Sequence, residues 1–369
     1  MSCDFLALAN AGVQRISPYV PGKPEDELQR ELGLERVVKL ASNENPLGPS
    51  QKVIEAVSAK PGAISRYPDG NGFELKQALT SYLGIEENQV TLGNGSNDVL
   101  ELVARAYSGP GDEVVFSEHA FAVYPLATLS AGATPVAARA DNWAHDLDRI
   151  AACLSEKTRL IFLANPNNPT GTWFHKDELE AFLNRVPEHI VVVLDEAYFE
   201  YVSESGYPDG ISLLKKHDNL IVTRTFSKAW GLASLRVGFA VSSPAIADVL
   251  NRVRQPFNVN TMAQVAAVAV LGDAAYLQKS VETNDAGLRQ LESGFSALGL
   301  DYIPSVGNFI AVDVGARAGE VYQSLLQQGV IVRPVANYQM PRHLRVSVGL
   351  KEENSIMLEA LEKSLKTGA

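Results

Sequence analysis

Chemically capable side chains stand at the ends of three short apolar runs in this chain. Leu160-Ile161-Phe162-Leu163 leads to Asn165-Pro166-Asn167-Asn168-Pro169-Thr170-Gly171. Ile190-Val191-Val192-Val193-Leu194 runs into Asp195-Glu196-Ala197-Tyr198. A third run ends in Thr225-Phe226-Ser227-Lys228, and Arg236 follows eight residues after the lysine. Taken singly, each has an ordinary explanation: lysines are mostly solvated charges, aspartates cap helices, and Asn-Pro-Thr-Gly makes a turn. Together they supply amide, carboxylate, phenol, amine and guanidinium in one repeating context, the carboxyl ends of strands in an α/β pattern. A ligand crevice is expected there.

This set suits an aromatic aldehyde that carries a phosphate, and pyridoxal 5'-phosphate (PLP) is the cofactor with those parts. Its aldehyde needs a primary amine, and only a lysine side chain supplies one, here Lys228. Its ring nitrogen needs a carboxylate to stay protonated, for which Asp195 stands ready. Its phenolic oxygen suits neutral donors such as Asn168 and Tyr198, and its phosphate suits Thr225, Ser227 and Arg236. The run Leu92-Gly93-Asn94-Gly95-Ser96-Asn97-Asp98 follows a strand-like segment and opens a helix, so the amides of Gly95, Ser96 and Asn97 offer a second phosphate contact. A cap through Ser96 or Asn97 would explain the run as well. It is no dinucleotide fingerprint, because Asp98 replaces the third glycine. Phe121, in preference to Tyr124, is the aromatic expected to stack on the cofactor ring.

The elements that must position these groups alternate from about residue 50 to 250. Strands are expected near 113–116, 134–138, 159–164, 190–194, 219–224 and 237–241, with helices at 97–107, 124–130, 147–154 and 176–186. Apolar strands without polar alternation indicate a mostly parallel sheet covered on both faces. After Pro256 come an alanine-rich helix at 261–271, a long helix at 274–298, strands near 309–314, 330–332 and 343–348, and a closing helix. The expected organisation is an N-terminal arm (1–45) packing on the small domain or a partner subunit, a large PLP-binding domain (46–255) and a small α+β domain (256–369).

Bulk properties agree with a soluble enzyme. The 369 residues are 46% hydrophobic and 20% charged, and the net charge of −11 argues against nucleic acid as a partner. Cys3 and Cys153 are too few and too far apart for a disulfide framework or a metal cluster, which suits a reducing cytoplasm. No stretch reaches the ~20 apolar residues of a membrane span, and the start has no signal-peptide pattern.

Four further segments carry a resemblance over nearly the whole chain: Tyr19-Val20-Pro21-Gly22, the run Leu40-Ala41-Ser42-Asn43-Glu44-Asn45-Pro46, Arg66-Tyr67-Pro68-Asp69, and Leu344-Arg345-Val346-Ser347-Val348-Gly349. With them the chain resembles the fold type I PLP-dependent aminotransferases, and among these the histidinol-phosphate aminotransferase family. The resemblance implies transamination of histidinol phosphate with 2-oxoglutarate, giving imidazole-acetol phosphate and glutamate, with Lys228, Asp195 and Tyr198 as the catalytic set. It also implies a homodimer with shared active sites. In that dimer Tyr67 reaches the partner's cofactor phosphate, while Arg345 and Arg333 bind the substrate's anionic end beside Tyr19 and Asn43. Phe121 occupies a position where many relatives carry tyrosine, and such members can also accept aromatic amino acids. An aromatic amino acid aminotransferase therefore remains open, as do a PLP-dependent phosphoamino acid decarboxylase and a PLP-binding regulator without turnover.

Overall fold

A computed structural model describes residues 3–18 and 22–366. Its first strand, β1 (Val38–Lys39), is short and pairs outside the main sheet. Seven strands then build that sheet: β2 (Val90–Gly93), β3 (Glu113–Ser117), β4 (Thr134–Ala138), β5 (Thr158–Ala164), β6 (Val191–Asp195), β7 (Leu220–Thr225) and β8 (Gly238–Ser242). Their order is β2-β8-β7-β6-β5-β3-β4. All pairs from β7 to β4 are parallel, and β8 runs antiparallel to both its neighbours. The mostly parallel sheet expected from the apolar runs is therefore present, with one reversed strand.

Successive residues on these strands enter two different cores. Ile161, Leu163, Val192, Leu194 and Val222 face one, under helices that include Phe73–Leu83 and Lys176–Leu183. Leu160, Phe162, Val191, Val193 and Ile221 face the other, under helices that include Ser96–Tyr107 and Val123–Ser130. Burial on both faces explains why the strands lack polar alternation. From β3 the chain turns outward to β4, whereas from β5 it proceeds through β6 to β7 on the opposite side. Connections leaving β3 and β5 thus diverge and open a crevice at their carboxyl ends.

A second sheet contains β9 (Tyr302–Ile303), β10 (Phe309–Asp313), β12 (Arg333–Pro334) and β13 (His343–Ser347), in the order β12-β13-β10-β9 and antiparallel throughout. The remaining strand, β11 (Val330–Ile331), pairs in parallel with β1. This sheet has its own core, where Ile310, Val312, Leu344 and Val346 meet Leu291, Phe295, Val321 and Met357. In the N-terminal segment, the helix Glu25–Leu32 sets Leu28 against Leu326 and Ile331 beside the second sheet. It ends at Gly33 in the left-handed conformation, as its glycine and acidic first turn imply. Val13–Arg15 instead lies on the helix Val123–Ser130 of the large unit.

The change of composition after Pro256 does not mark the change of packing. Helix Thr261–Leu271, read from sequence as part of the small domain, buries Ala263, Ala266, Ala267 and Val270 in the core of the large sheet. Small side chains let it approach the helices Gln51–Ser58 and Phe73–Leu83 closely. The handover occurs along the next helix, Ala274–Ala297, which spans roughly 36 Å at 1.5 Å per residue. Its Leu277 packs against the large core and its Leu291 and Phe295 sit in the small one. Ala267→Leu should therefore destabilise the fold by about 1–3 kcal/mol through overpacking. Urea unfolding measures this, and no change would place that helix outside the large core.

Candidate active site

A cavity of about 200 Å³ lies where the carboxyl ends of β5, β6 and β7 face the second sheet. Its walls include Asn168, Asp195, Tyr198, Thr225, Ser227, Lys228 and Arg236 from the large unit, and Arg333, Tyr338 and Arg345 from the small one. Ala41, Ser42 and Asn43 close it from the segment between.

Asp195 is the last residue of a strand that is buried at every position. Its Oδ1 accepts from Thr223 Oγ1 at 3.0 Å, one strand over, and its Oδ2 accepts from Tyr124 Oη at 3.0 Å. Burial pushes this carboxyl up to about 6 despite those donors and a backbone amide at Ala197. Among the described residues, no cationic side chain forms an ion pair with it. A buried carboxylate held by neutral donors and facing a cavity is ready for a cationic N–H, such as that of a protonated pyridine.

Lys228 Nζ donates to the carbonyl oxygen of Ser42 at 3.1 Å. Burial first, then the guanidiniums of Arg345 and Arg236, bring its pKa down to about 7, against an opposing pull from Glu44. Such an amine is substantially neutral at physiological pH and can attack a carbonyl carbon.

The far end of the cavity collects donors. Helix Ser96–Tyr107 starts after Gly95, whose φ of +82° suits glycine, and no side chain caps it. Arg236, itself left-handed at φ +56°, donates through Nη1 to Ser227 Oγ at 3.2 Å and to the Ala233 carbonyl at 2.9 Å. Its guanidinium lies so close to Gly95 that a Cβ there would sit 2.3 Å from Nη2. Thr225 Oγ1 accepts from the Ser227 amide at 3.1 Å. Hydroxyls, a guanidinium and open amides at a helix start make an anion cradle.

The opposite wall is a polar network that crosses between the two units. Arg345 Nη1 donates to Asn168 Oδ1 and Nη2 to the Ala41 carbonyl, both at 2.6 Å. Asn43 Nδ2 donates to Tyr198 Oη at 2.9 Å, and Ser347 Oγ donates to Asn43 Oδ1 at 2.8 Å. Burial drives the Tyr198 hydroxyl up to about 12, although Arg345 and Asn43 act in the other direction. Arg333 stands opposite Arg345 in the β12–β13 register, so two guanidiniums reach this end.

Most residues singled out in the sequence therefore meet. Phe121 lines the cavity, whereas Tyr124 is fully buried and stacks on Phe162 at 4.7 Å. Gly95 contributes by making room for Arg236. Tyr67 is away from this chain's own cavity, 82% exposed and stacked on Phe257. Tyr19 lies outside the described residues. Sequence reading missed Tyr124 and Thr223 as orienters of Asp195, and Ser347 as the orienter of Asn43. The Tyr124 hydroxyl was a usable signal, since a buried tyrosine needs a partner for it. Among the described residues, no group of three or more His, Cys, Asp or Glu could hold a metal, and no helix is long and apolar enough to cross a membrane.

The donor set fits PLP on all four counts: amine, carboxylate, phenol-and-amide pair and anion cradle. The depressed amine also gives a test. In cofactor-free protein, acylation of Lys228 should reach half its maximal rate near pH 7, rising as the amine loses its proton, whereas ordinary lysines need pH near 10.5. Peptide mapping across a pH series measures it, and a midpoint above pH 9 would contradict the buried environment.

Comparison with known proteins agrees with the geometry. Residues 35–361 match the family described as aminotransferase class I and II. Histidinol-phosphate aminotransferase 2 of Pseudomonas aeruginosa is 62% identical over 364 residues, covering 98% of this chain and 99% of that protein. Histidinol-phosphate aminotransferase 1 of Nitrosococcus oceani is 54% identical, covering 98% of both. Among solved structures, histidinol-phosphate aminotransferase from Sinorhizobium meliloti, in complex with pyridoxal-5'-phosphate, superposes with a TM-score of 0.90 at 29% identity and 98% coverage of both chains. The chain belongs to the class I and II aminotransferase family.

Proposed function

We propose that this protein uses PLP to transfer the amino group of histidinol phosphate to 2-oxoglutarate. The observation that carries this reading is the meeting of Lys228, Asp195 and the Arg236 cradle in one cavity that faces the Arg333–Arg345 pair. The activity named for the relatives in Pseudomonas aeruginosa and Nitrosococcus oceani supports it.

Bound PLP supplies an electron sink for the bond-breaking at the substrate's amino-bearing carbon. Lys228 Nζ would serve as the base that takes the proton from that carbon and as the acid that returns it, a role that suits an amine whose pKa is brought down to about 7. Asp195 holds the ring nitrogen's proton, with Tyr124 and Thr223 fixing both its oxygens. Tyr198 and Asn168 would hold the phenolic oxygen, and Phe121 would pack on the ring. Ser96, Asn97, Thr225, Ser227 and Arg236 bind the cofactor phosphate. Arg345 and Arg333 bind the anionic end of the substrate, near Asn43. Guanidinium forks accept phosphate and carboxylate alike, so one site can serve both amino donors.

The working form in this reading is a cytoplasmic homodimer with a large PLP-binding domain, a small C-terminal domain and an N-terminal arm. Exposed apolar residues support a second copy: Phe5 (78%), Leu8 (71%), Ile64 (79%) and Tyr67 (82%). Tyr67 then completes the partner's phosphate site. Tyr67→Phe should weaken PLP binding about tenfold, the loss expected for one hydrogen bond to a charged group. Equilibrium dialysis beside light scattering measures both halves of the claim, and a monomer with unchanged affinity would refute them.

The test of activity is a single-turnover mixing of PLP-loaded protein with histidinol phosphate. The visible cofactor band should disappear as imidazole-acetol phosphate forms. Lys228→Ala should lower the rate by roughly 10²–10⁴-fold or more, and Asp195→Ala by roughly 10²–10³-fold. A response to phenylalanine but not to histidinol phosphate would move the substrate to the aromatic amino acids, and carbon dioxide release would identify a decarboxylase.

A further inference from the structure

His119 bonds both to Asn167, in the segment after β5, and to Tyr338 of the small unit, and the mechanism above does not use it. It stands in the turn between β3 and Phe121 with φ +58°, a conformation that histidine tolerates better than most side chains. Its backbone carbonyl accepts from Asn167 Nδ2 at 3.1 Å, next to Asn168. Its ring Nδ1 lies 2.6 Å from the carbonyl oxygen of Tyr338, a cavity residue of the small unit. A carbonyl only accepts, so Nδ1 carries the proton. The ring also packs 5.0 Å from Trp143, which in turn lies 4.9 Å from His343. His343 and Arg345 are two residues apart on β13 and share a face.

We infer that His119 is a positioning residue for transamination: its Nδ1–H bond to Tyr338 helps set the spacing between the segments that carry Phe121 and Asn168 and the Arg333–Arg345 pair. Tyr338 follows β12 and precedes β13, the two strands that carry those arginines. The side chain is 10% exposed, so water competes poorly for the bond. Without it, the turn at Tyr338 loses one tie to the large unit, and the strands on either side, which carry Arg333 and Arg345, are held less firmly. Arg345 keeps its bond to Asn168, and Lys228 and Asp195 keep their own partners. The defect therefore falls on substrate binding. This inference rests on the transaminase reading.

Three variants separate the donor from the bulk. His119→Asn puts an amide nitrogen where Nδ1 was and tolerates positive φ, His119→Gln moves the donor one bond further out, and His119→Leu removes it. The Gln and Leu variants should raise KM for histidinol phosphate about tenfold, the scale of one buried hydrogen bond. Their kcat, PLP affinity and visible spectrum should stay within about threefold of wild type, and the Asn variant should match wild type throughout. Should the Leu variant not fold, the Asn–Gln pair carries the comparison. Asn as impaired as Gln, a loss in kcat rather than KM, or three variants like wild type would each overturn the inference. Affinity of the PLP-loaded protein for inorganic phosphate, a probe of the arginine pair, should follow the same order. If wild type fails to transaminate while that order holds, the transaminase reading fails and the positioning role stands. If wild type is active and the order is absent, the positioning role fails alone.

Discussion

The site depends on charged groups that are desolvated without a full set of countercharges. Asp195 and Glu196 follow one another at the end of β6 and show the contrast. Glu196 turns away from the cavity and takes Arg224 Nε and Nη2 on one oxygen at 2.9 and 2.8 Å, while Arg224 also reaches Asp209. Asp195 turns toward the cavity and has only hydroxyl and amide donors. Alternation along the strand sends the two carboxylates opposite ways. One becomes part of the frame and the other keeps its capacity for a cationic ligand. Lys228 mirrors this state, with its amine lowered by burial and by two guanidiniums.

Keeping such groups in place requires a rigid surround, and the two-layered packing of the main sheet supplies it. Each strand from β5 to β7 contributes side chains to a core on both faces, so its carboxyl end has little freedom. The small unit adds what the sheet lacks, two guanidiniums and a polar wall. Its ties to the large unit, Arg345 directly to Asn168 and Ser347 through Asn43 to Tyr198, run through residues that face the cavity. Any shift between the units is therefore felt at once by the site. A hydrogen bond to a charged group such as Arg345 is worth about 1.5–3 kcal/mol and one between neutral groups about 0.5–1.5 kcal/mol, enough to couple the units without welding them.

Much of this was legible in the residues. The apolar runs marked β5, β6 and β7 within a residue or two at each end, because strands buried on both faces must be apolar throughout. Lys228, Asp195, Asn168 and Arg236 stood out because each has a chemistry that the others complete. Helix Thr261–Leu271 was visible as a helix but assigned to the wrong packing neighbour. Alanine spacing reports that a helix packs closely, not what it packs against. The pairings of Tyr124 with Asp195 and of His119 with Tyr338 span 71 and 219 positions, and no local pattern encodes them.

By itself, the sequence determined which groups are available and that strand ends would present them, since side-chain chemistry and periodicity are local properties. It marked Gly33 as a helix stop and Gly95 as a phosphate contact, without the room that glycine at 95 leaves for Arg236. Tertiary structure alone decided that Asp195 has neutral partners, that the Lys228 amine is held near neutrality, and that Arg345 closes on Asn168 from another sheet. Each of these follows from burial and from distances between residues far apart in the chain, quantities that exist only once the two cores have packed.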